Sequence, residues 1–309
     1  MERELVDWLR ATLPRHPLLR VGLGDDAAVI ARERSAAEGG DLVVTTDSLG
    51  DGSHFLLTEV EPRWVGHKCL AANLSDLAAM AARPTAVVVS LMLPRSHADP
   101  VALARGLYAG MLPLAERFDT AIAGGDTNCW DGPLTVSVTA LGRTTERGPL
   151  LRSGAQPGDA ILVSGELGGS ITGHHLDFIP RVAEALLLHE RYDLHAGMDI
   201  TDGLSLDLSR LCIASGCGAV LDEQAIPISA AAEQLAAASG GDALSHAFSD
   251  GEDFELLLTA PQEVAEAMVA DRPVECGLTI VGQMAEGQGL TLRTADGKQE
   301  ALEPTGYWH

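Results

Sequence analysis

Residues 61–93 read EPRWVGHKCLAANLSDLAAMAARPTAVVVSLML, and this segment indicates the kind of fold to expect. The pattern predicts a long helix from Glu61 to Ala82, with Pro62 in its first turn, where a missing N–H costs little. The run from Thr85 to Leu93 is rich in β-branched residues and predicts a strand. A long helix followed by an apolar strand is typical of α/β and α+β domains.

The same alternation continues on both sides of this segment. Further strands are predicted at Asp41–Thr46, Thr120–Ala123, Leu134–Gly142, Ala160–Ser164, Gly218–Leu221, Phe254–Thr259 and Leu278–Gln283. Further helices are predicted at Pro100–Phe118, Arg181–Glu190, Leu204–Ser215 and Ala230–Ser239. Turn-forming Gly-Pro, Ser-Gly and Pro-Gly pairs cluster between Arg143 and Gly158, so we place a domain boundary there, with domains at 1–148 and 149–309.

The composition restricts the classes of function. Of the 309 residues, 46% are hydrophobic and 21% are charged, as in ordinary globular proteins. The formal net charge of −23 argues against nucleic acid as a partner, although a nucleotide can still bind if divalent cations lie between the anions. The first residues fit an amphipathic helix rather than a signal peptide, and no apolar run approaches the roughly 18 to 20 residues that span a bilayer. Five cysteines without a CxxC pair favour a reducing compartment, so we expect a soluble, cytoplasmic protein with no membrane partner.

Aspartates beside glycines recur at the edges of the apolar strands. The segments are GLGDDAAV (22–29), TTDSLGDGSHF (45–55), AIAGGDTN (121–128), MDITDGL (198–204) and SDGEDFEL (249–256), and Asp76 lies inside an alanine-rich helix. Each segment alone fits a structural turn, because Asp-Gly pairs are common turn formers. If the carboxylates converge, however, their repulsion requires a cation, and oxygen ligands of this kind suit Mg²⁺.

Other nucleotide and metal motifs are missing from the sequence. No segment has the spacing of a calcium-binding EF-hand loop, and there is no GxxxxGK[ST] phosphate loop. If phosphates bind, we expect metal ions, the glycine-rich backbone at Gly124-Gly125 and an arginine to neutralise them.

In this order, the motifs GDDAA, TD-x-L-x-x-G-x-HF, NLSDLAAM, GGDT, RSGAQPGD, MDITDGL, GEDFEL and a terminal GYWH resemble the thiamine-monophosphate kinase family. GDDAA, SDLAAM and GGDT are shared in looser form with a wider ATP-binding superfamily that includes aminoimidazole ribonucleotide synthetase and selenophosphate synthetase. The resemblance implies a two-domain PurM-like fold of the α/β (α+β) class. It also implies a homodimer whose N-terminal sheets pair, several Mg²⁺ ions, ATP as co-substrate and thiamine monophosphate as acceptor.

The resemblance also assigns site residues, position by position. The implied metal ligands are Asp26, Thr45, Thr46, Asp47, Asp76, Asp126, Asp199 and Asp202. The implied ATP-binding positions are Gly125, Asp126, Arg152 and Thr201, and the implied substrate-binding positions are His54, Glu252 and Tyr307. Asp47 and Asp126 would act in catalysis through the metal, no general base is expected, and Lys68 receives no role.

The sequence departs from the family pattern at Gly50-Asp51, at Asp250 and, more mildly, at Thr201. Three alternatives stay open. The chain could be another enzyme of the same superfamily, such as an aminoimidazole ribonucleotide synthetase, although His54-Phe55, Glu252 and the C-terminal tail argue against it. It could be a non-catalytic regulator that binds Mg²⁺ or nucleotide, or a domain whose Asp-Gly pairs only form turns.

Overall fold

The computed structural model describes residues 18–21, 25–31 and 40–307. The helix expected at the N-terminus and the last two residues of GYWH lie outside these ranges. The described strands form two sheets, a six-stranded one in the order β1-β2-β3-β6-β4-β5 and a seven-stranded one in the order β13-β12-β9-β11-β7-β10-β8. Within the described ranges, no helix has both the length and the apolar character needed to cross a bilayer.

The first sheet comprises β1 Leu19–Val21, β2 Ala28–Ile30, β3 Leu42–Gly50, β4 Ala82–Pro94, β5 Ala121–Trp130 and β6 Thr135–Thr144. The second comprises β7 Ala160–Ser164, β8 Ala196–Asp199, β9 Gly218–Asp222, β10 Leu256–Ala260, β11 Leu278–Ala285, β12 Leu290–Arg293 and β13 Gln299–Leu302. The α-helices are α1 Pro62–Ala79, α2 Pro100–Arg117, α3 His174–Asp177, α4 Val182–Arg191, α5 Leu204–Ser215, α6 Ala230–Ser239, α7 Ala243–Ser249 and α8 Gln262–Asp271.

Helix α1 lies between the two halves of the chain. It packs against β3, β6 and α2 on one side and against α3, α4 and β8 on the other. Thirteen of its 18 residues are buried, as expected for a helix that is largely apolar all round. Glycines let α1 and α2 approach to backbone contact, since a Cβ at Gly110 would lie 1.7 Å from the carbonyl oxygen of Arg63. Side chains that project from α1 are therefore held on a rigid element.

Most predicted elements are present, with one important difference. The bounds predicted for β7, α5 and α6 match those observed. The short strand predicted at Thr120–Ala123 is instead the ten-residue β5, Ala121–Trp130. Its central residues 124–128 (GGDTN) are rich in Gly, Asp and Asn, which are poor strand formers, but parallel pairing with β4 keeps them extended. Strand β5 forms the edge of the first sheet, and nine of its ten residues are exposed.

Candidate active site

Three aspartates from distant parts of the chain meet in a cluster. Asp26 precedes β2, Asp76 lies in the last turn of α1, and Asp199 is the last residue of β8. Each offers a carboxylate oxygen, and these oxygens all lie within 4.8 Å of one another. We call these three residues the aspartate cluster. The sequence predicted all three as metal ligands, and the fold brings them together from both halves of the chain.

Two hydroxyl groups orient the cluster. Thr45 Oγ1 donates a hydrogen bond to Asp76 Oδ2 over 2.5 Å. Ser75 Oγ donates a hydrogen bond to Asp199 Oδ2, also over 2.5 Å. Because side chains alternate along a strand, Asp47 lies on the same face of β3 as Thr45, toward α1. Of the predicted positions, Thr45 and Asp47 thus lie beside the cluster.

The carboxylates of the cluster are buried next to like charges. Burial raises the pKa of Asp76 well above its usual 3.8, and the charges of Asp47, Asp199 and Asp26 raise that pKa further. Burial also raises the pKa of Asp199, and the charge of Asp26 is the second cause. A cation would relieve this repulsion, and a set of carboxylate and hydroxyl oxygens suits a hard ion such as Mg²⁺. The residues present therefore fit the predicted metal site.

Arg152 provides the positive charge next to the cluster. Its Nε lies 3.0 Å from Asp26 Oδ2, and its Nη2 lies 2.5 Å from Asp26 Oδ1. Burial opposes the charge of Arg152, but the neighbouring carboxylates of Asp26, Asp199 and Asp25 together outweigh burial, and the pKa of the guanidinium is raised. The carboxylate of Asp25 accepts the backbone N–H of Arg152, and burial together with the charge of Asp26 raises the pKa of Asp25 to about 6. The predicted ATP-binding arginine is thus fixed beside the predicted metal ligands.

Asp202 lies beyond the end of β8 and belongs to a second group of charges. Its Oδ2 lies 2.5 Å from Nη1 of Arg210, and the same Nη1 lies 2.7 Å from Asp207 Oδ1. The other oxygen of Asp207 accepts the backbone N–H groups of residues 201–203, which fixes the backbone of Thr201. The Asp202 side chain is therefore paired with an arginine and is not one of the three that form the aspartate cluster.

The C-terminal tail packs on this second group. The N–H of Tyr307 donates to the carbonyl oxygen of Asp202 over 3.0 Å, and Ser205 Oγ donates to the carbonyl oxygen of Thr305 over 2.8 Å. The side chain of Tyr307 remains 51% exposed. The tail is thus anchored through its backbone next to the predicted ligands, and the phenol ring is accessible.

A third polar group joins His54 and Glu252, the substrate-binding positions predicted in the first and second halves of the chain. Between them lies Lys68 on α1, with its Nζ 2.9 Å from the carbonyl oxygen of His54 and 2.7 Å from Glu252 Oε1. We call Lys68, the His54 carbonyl and Glu252 the lysine junction. The imidazole of His54 accepts the N–H of Gly50 at Nδ1. The sequence therefore predicted two members of this group but not the residue that connects them.

Two predicted ligands lie on the opposite face of the first sheet. Thr46 Oγ1 hydrogen-bonds the carbonyl oxygen of Val138, so its hydroxyl is directed away from the aspartate cluster. Asp126 on β5 is paired with Ser90, which shares the open face, and the Asn128 side chain donates to Asp126 Oδ2 over 2.7 Å. Because neighbours in a strand alternate between faces, the side chains of Thr46 and Asp126 cannot share a face with Asp47.

Asp126 is also far from Asp47 across the sheet. In the strand order β3-β6-β4-β5, the two residues lie three strands apart, or roughly 14 Å at the usual strand spacing. Gly125 beside it is tightly packed, since a Cβ there would lie 1.7 Å from the carbonyl oxygen of Val89. Within a single chain, the structure does not bring Asp126, an implied metal ligand, to the aspartate cluster.

Sequence reasoning missed several residues of these groups. Asp25 and Ser75 adjoin predicted ligands, and that adjacency was the available signal. Lys68 also left a signal, because a lysine within an apolar helix that lies between two sheets must have a buried partner. Asp207 and Arg210 had a weaker signal in their helical i, i+3 spacing.

The fold and the site define a class of protein. A family model described as AIR synthase related protein, N-terminal domain, matches residues 24–144, and one described as AIR synthase related protein, C-terminal domain, matches residues 156–295. The two matches cover most of the chain, and they confirm the predicted two-part α/β fold.

Within that class, the chain belongs to the thiamine-monophosphate kinase family. It is 43% identical over 313 residues to the thiamine-monophosphate kinase of Rhodopirellula baltica, with 100% of this chain and 97% of the relative covered. A crystal structure of thiamine-monophosphate kinase from Stenotrophomonas maltophilia is 35% identical with a TM-score of 0.75, covering 95% of this chain and 96% of that one. A structure described as AaThiL complexed with AMPPCP and TMP is 28% identical with a TM-score of 0.84, covering 100% and 96%. The resemblance inferred from the motifs is confirmed.

Proposed function

We propose that this chain transfers the γ-phosphoryl group of ATP to the phosphate of thiamine monophosphate, giving thiamine diphosphate and ADP. The observation that carries the proposal is the buried aspartate cluster in a chain of this family. The acceptor is a phosphomonoester with a second pKa of about 6, so it is already an anion near neutral pH. The chain therefore needs no general base, and its task is to hold two polyanions in line.

The aspartates would hold the metal. Mg²⁺, when bound, would neutralise phosphate charge on the two substrates. Asp26, Asp47, Asp76 and Asp199 converge well enough to be its ligands, with Thr45 orienting Asp76. We retain Asp202 as a further ligand on the condition that Arg210 exchanges partners when the substrates bind.

The remaining positions divide between the two substrates. Arg152 would stabilise the phosphate charge of ATP, because its guanidinium already lies against Asp26. Thr201 would contact ATP through a backbone that Asp207 holds in place. His54 and Glu252 would line the acceptor side, and the exposed ring of Tyr307 suits the thiazolium cation.

We further propose a homodimer in which Gly125 and Asp126 of one copy complete the site of the other. This would explain why Asp126 lies on the open face of the sheet, away from the aspartate cluster of its own chain. The exposed edge strand β5 and the exposed side chains of Val88 and Trp130 offer the contact surface. A symmetric pairing of this surface would place two copies of Asp126 in equivalent positions.

We also propose that the chain divides into two domains and works in the cytoplasm. The division into domains at 1–148 and 149–309 is supported by the strand content of the two sheets, which separates at that point. Work in the cytoplasm is supported by five free cysteines and by the need for ATP, which fit a reducing compartment.

The direct test is a phosphorus NMR or HPLC assay with ATP, Mg²⁺ and thiamine monophosphate. Thiamine diphosphate and ADP formed in equal amounts are expected. Asp47→Asn should remove most turnover and leave the fold intact, and Asp193→Asn, at a side chain 70% exposed, serves as the matched control. Magnesium-dependent ATP binding without thiamine diphosphate would overturn the proposal and favour another acceptor within the superfamily.

Mixing two inactive variants tests the proposed dimer. If Asp126 acts on the partner's site, a mixed dimer of Asp47→Asn and Asp126→Asn copies has one site with both native aspartates. Random exchange should then restore about a quarter of the wild-type activity, because half of the dimers are mixed and half of their sites are intact. If both residues serve the site of their own chain, no activity returns.

A further inference from the structure

The two lysines of this chain lie in opposite environments. Lys298 pairs with Asp296 on an exposed turn, and its side chain is 71% exposed. The side chain of Lys68 is 1% exposed. Lysine is almost never fully buried unless it is paired, because removing an ammonium group from water is costly. The burial of Lys68 therefore calls for a reason beyond packing.

Lys68 connects two segments that are far apart in the sequence. Its Nζ contacts the carbonyl oxygen of His54, in the loop after β3, and both carboxylate oxygens of Glu252, at 2.7 and 2.9 Å. Glu252 itself has a left-handed backbone with φ of 54°, and its N–H donates to the carbonyl oxygen of Thr201 over 2.7 Å. Backbone and side chain of Glu252 are thus both held, yet 32% of its side chain stays accessible.

The lysine junction lies on the same helix as the aspartate cluster. Lys68 and Asp76 are eight residues apart on α1, which corresponds to about 12 Å along the helix axis. Both segments held by Lys68 also reach the cluster, since Thr45 on β3, before the His54 loop, hydrogen-bonds Asp76, and Glu252 hydrogen-bonds Thr201, two residues after Asp199. A ligand with its phosphate at the cluster could therefore reach the junction with its organic end.

We infer that Lys68 is a positioning residue for the organic end of the acceptor. It orients the Glu252 carboxylate and fixes the His54 loop, so that both present a preformed surface to a cationic heteroaromatic ring, with Lys68 about 12 Å along α1 from Asp76. The inference rests on the proposed function, and it assigns a role to a residue that neither binds metal nor contacts the transferred phosphoryl group. Without Lys68, the exposed part of Glu252 would turn to solvent and the loop would lose its anchor.

The test compares Lys68→Met with Lys298→Met, the same change at the other lysine. Hydrogen bonds to charged groups correspond to a factor of about 10 to 100 in binding. Lys68→Met should accordingly raise KM for thiamine monophosphate by about tenfold or more, with KM for ATP within about twofold of wild type. Lys298→Met should behave as wild type. A merely structural Lys68 would change both KM values together, or neither, and either result would overturn the inference.

Two additional variants keep the test decisive if Lys68→Met folds poorly. Lys68→Met with Glu252→Gln removes both charges, and replacing a whole buried pair is tolerated better than breaking it. Because Lys68 acts through Glu252 as well as through the His54 loop, the increase in KM for thiamine monophosphate in the double variant should be smaller than the product of the two single increases. Multiplied effects would refute action through Glu252. Lys68→Arg, which keeps the charge, should restore part of the affinity for thiamine monophosphate.

A binding measurement separates this inference from the proposed function. With two lysines, a protein carrying ¹³C-labelled lysine has two sets of side-chain NMR signals, assigned by the two Met variants. Thiamine monophosphate should shift the Lys68 signal and leave the Lys298 signal unchanged. If the wild type makes no thiamine diphosphate, the proposed function fails. The inference alone fails if the wild type makes thiamine diphosphate, but thiamine monophosphate does not shift the Lys68 signal and Lys68→Met does not change KM for thiamine monophosphate.

Discussion

Replacing Asp76 by asparagine should make the metal-free protein more stable and the enzyme inactive. The carboxylate oxygens of Asp26 and Asp199 lie within 4.8 Å of an oxygen of Asp76. At that distance, each ionised pair repels by about 3 kcal/mol with the effective dielectric constant of about 20 used for protein sites. The Asp76→Asn amide oxygen can still accept the hydrogen bond of Thr45, so little is lost in exchange.

The full repulsion is not expected to appear as stability. Burial raises the pKa values of Asp76 and Asp199, so the cluster takes up protons and relieves part of the repulsion. We therefore expect Asp76→Asn to raise the free energy of unfolding by about 1–3 kcal/mol in EDTA at pH 8. For a chain of this size, that corresponds to roughly 2–10 °C in Tm.

The pH dependence has a defined sign. A carboxyl whose pKa is higher in the folded state than its value of 3.8 in the unfolded chain costs stability above pH 3.8. The free energy of unfolding of the wild type in EDTA should thus fall as the pH rises from about 4 through the folded-state pKa of Asp76. The free energy of unfolding of Asp76→Asn should fall less over the same range. The advantage of the variant should be near zero at pH 4 and largest at high pH.

The assay is thermal unfolding in EDTA and in Mg²⁺, with Asp193→Asn as the control at an exposed aspartate. Magnesium at about 100 times its Kd should stabilise the wild type by about 2.7 kcal/mol, and Asp76→Asn should lose most of this gain. A variant that is less stable than wild type in EDTA, or that gains as much from Mg²⁺, would refute the reasoning that these carboxylates repel one another and hold a cation.

Three further substitution and labelling experiments test helix packing, the exposure of β5 and the contact of Arg152 with Asp26. Gly110→Ala places a Cβ 1.7 Å from the Arg63 carbonyl oxygen and should lower the free energy of unfolding in urea by about 3 kcal/mol or more. Gly50→Ala, whose Cβ has no atom within 4 Å, should lower it by less than about 1 kcal/mol, and equal losses would contradict the contact of α1 and α2. The exposed thiol of Cys129 should react with a thiol reagent at high dilution and become protected as the concentration rises, and a rate independent of concentration would count against pairing through β5. Arg152→Lys loses the two-point contact with Asp26 and should raise KM for ATP by about tenfold while KM for thiamine monophosphate changes little; the opposite pattern would move Arg152 to the acceptor side.

The regular elements could be predicted where local sequence and packing agree. Helix α1 was predicted at Glu61–Ala82 and is observed at Pro62–Ala79, with Pro62 in the first turn as predicted, because proline is favoured there. Strand β5 was underestimated, because Gly124, Gly125 and Asp126 have no strand preference of their own and are extended by pairing with β4. The short strands β12 and β13 and helix α8 were not predicted, since short or weakly patterned segments depend on tertiary contacts.

The site could be predicted in its chemistry but only partly in its geometry. Recurring Asp-Gly segments and the helical aspartate indicated a carboxylate site, the family resemblance implied Asp26, Asp76 and Asp199 as metal ligands, and these three meet in the structure. The sequence analysis did not distinguish which side chains lie on which face of the first sheet. Thr45 and Thr46 are neighbours in a strand, so only one of the two side chains can face the cluster, and the sequence could have indicated this. The lysine junction depends on a contact across 184 positions, for which spacing offers no rule.

The open edge of β5 also has a consequence for handling the protein. Among the described residues, no strand pairs with the outer edge of β5. Such an edge is a template for pairing with an extended chain, and ten residues ending in the exposed Trp130 make a long one. The formal charge of −23 keeps copies apart at low ionic strength. Salt shortens the range of that repulsion to about 10 Å at 0.1 M. Copies of the chain can then approach closely enough to form either the proposed dimer or irregular aggregates. Ionic strength should therefore determine whether a preparation yields defined particles or a precipitate.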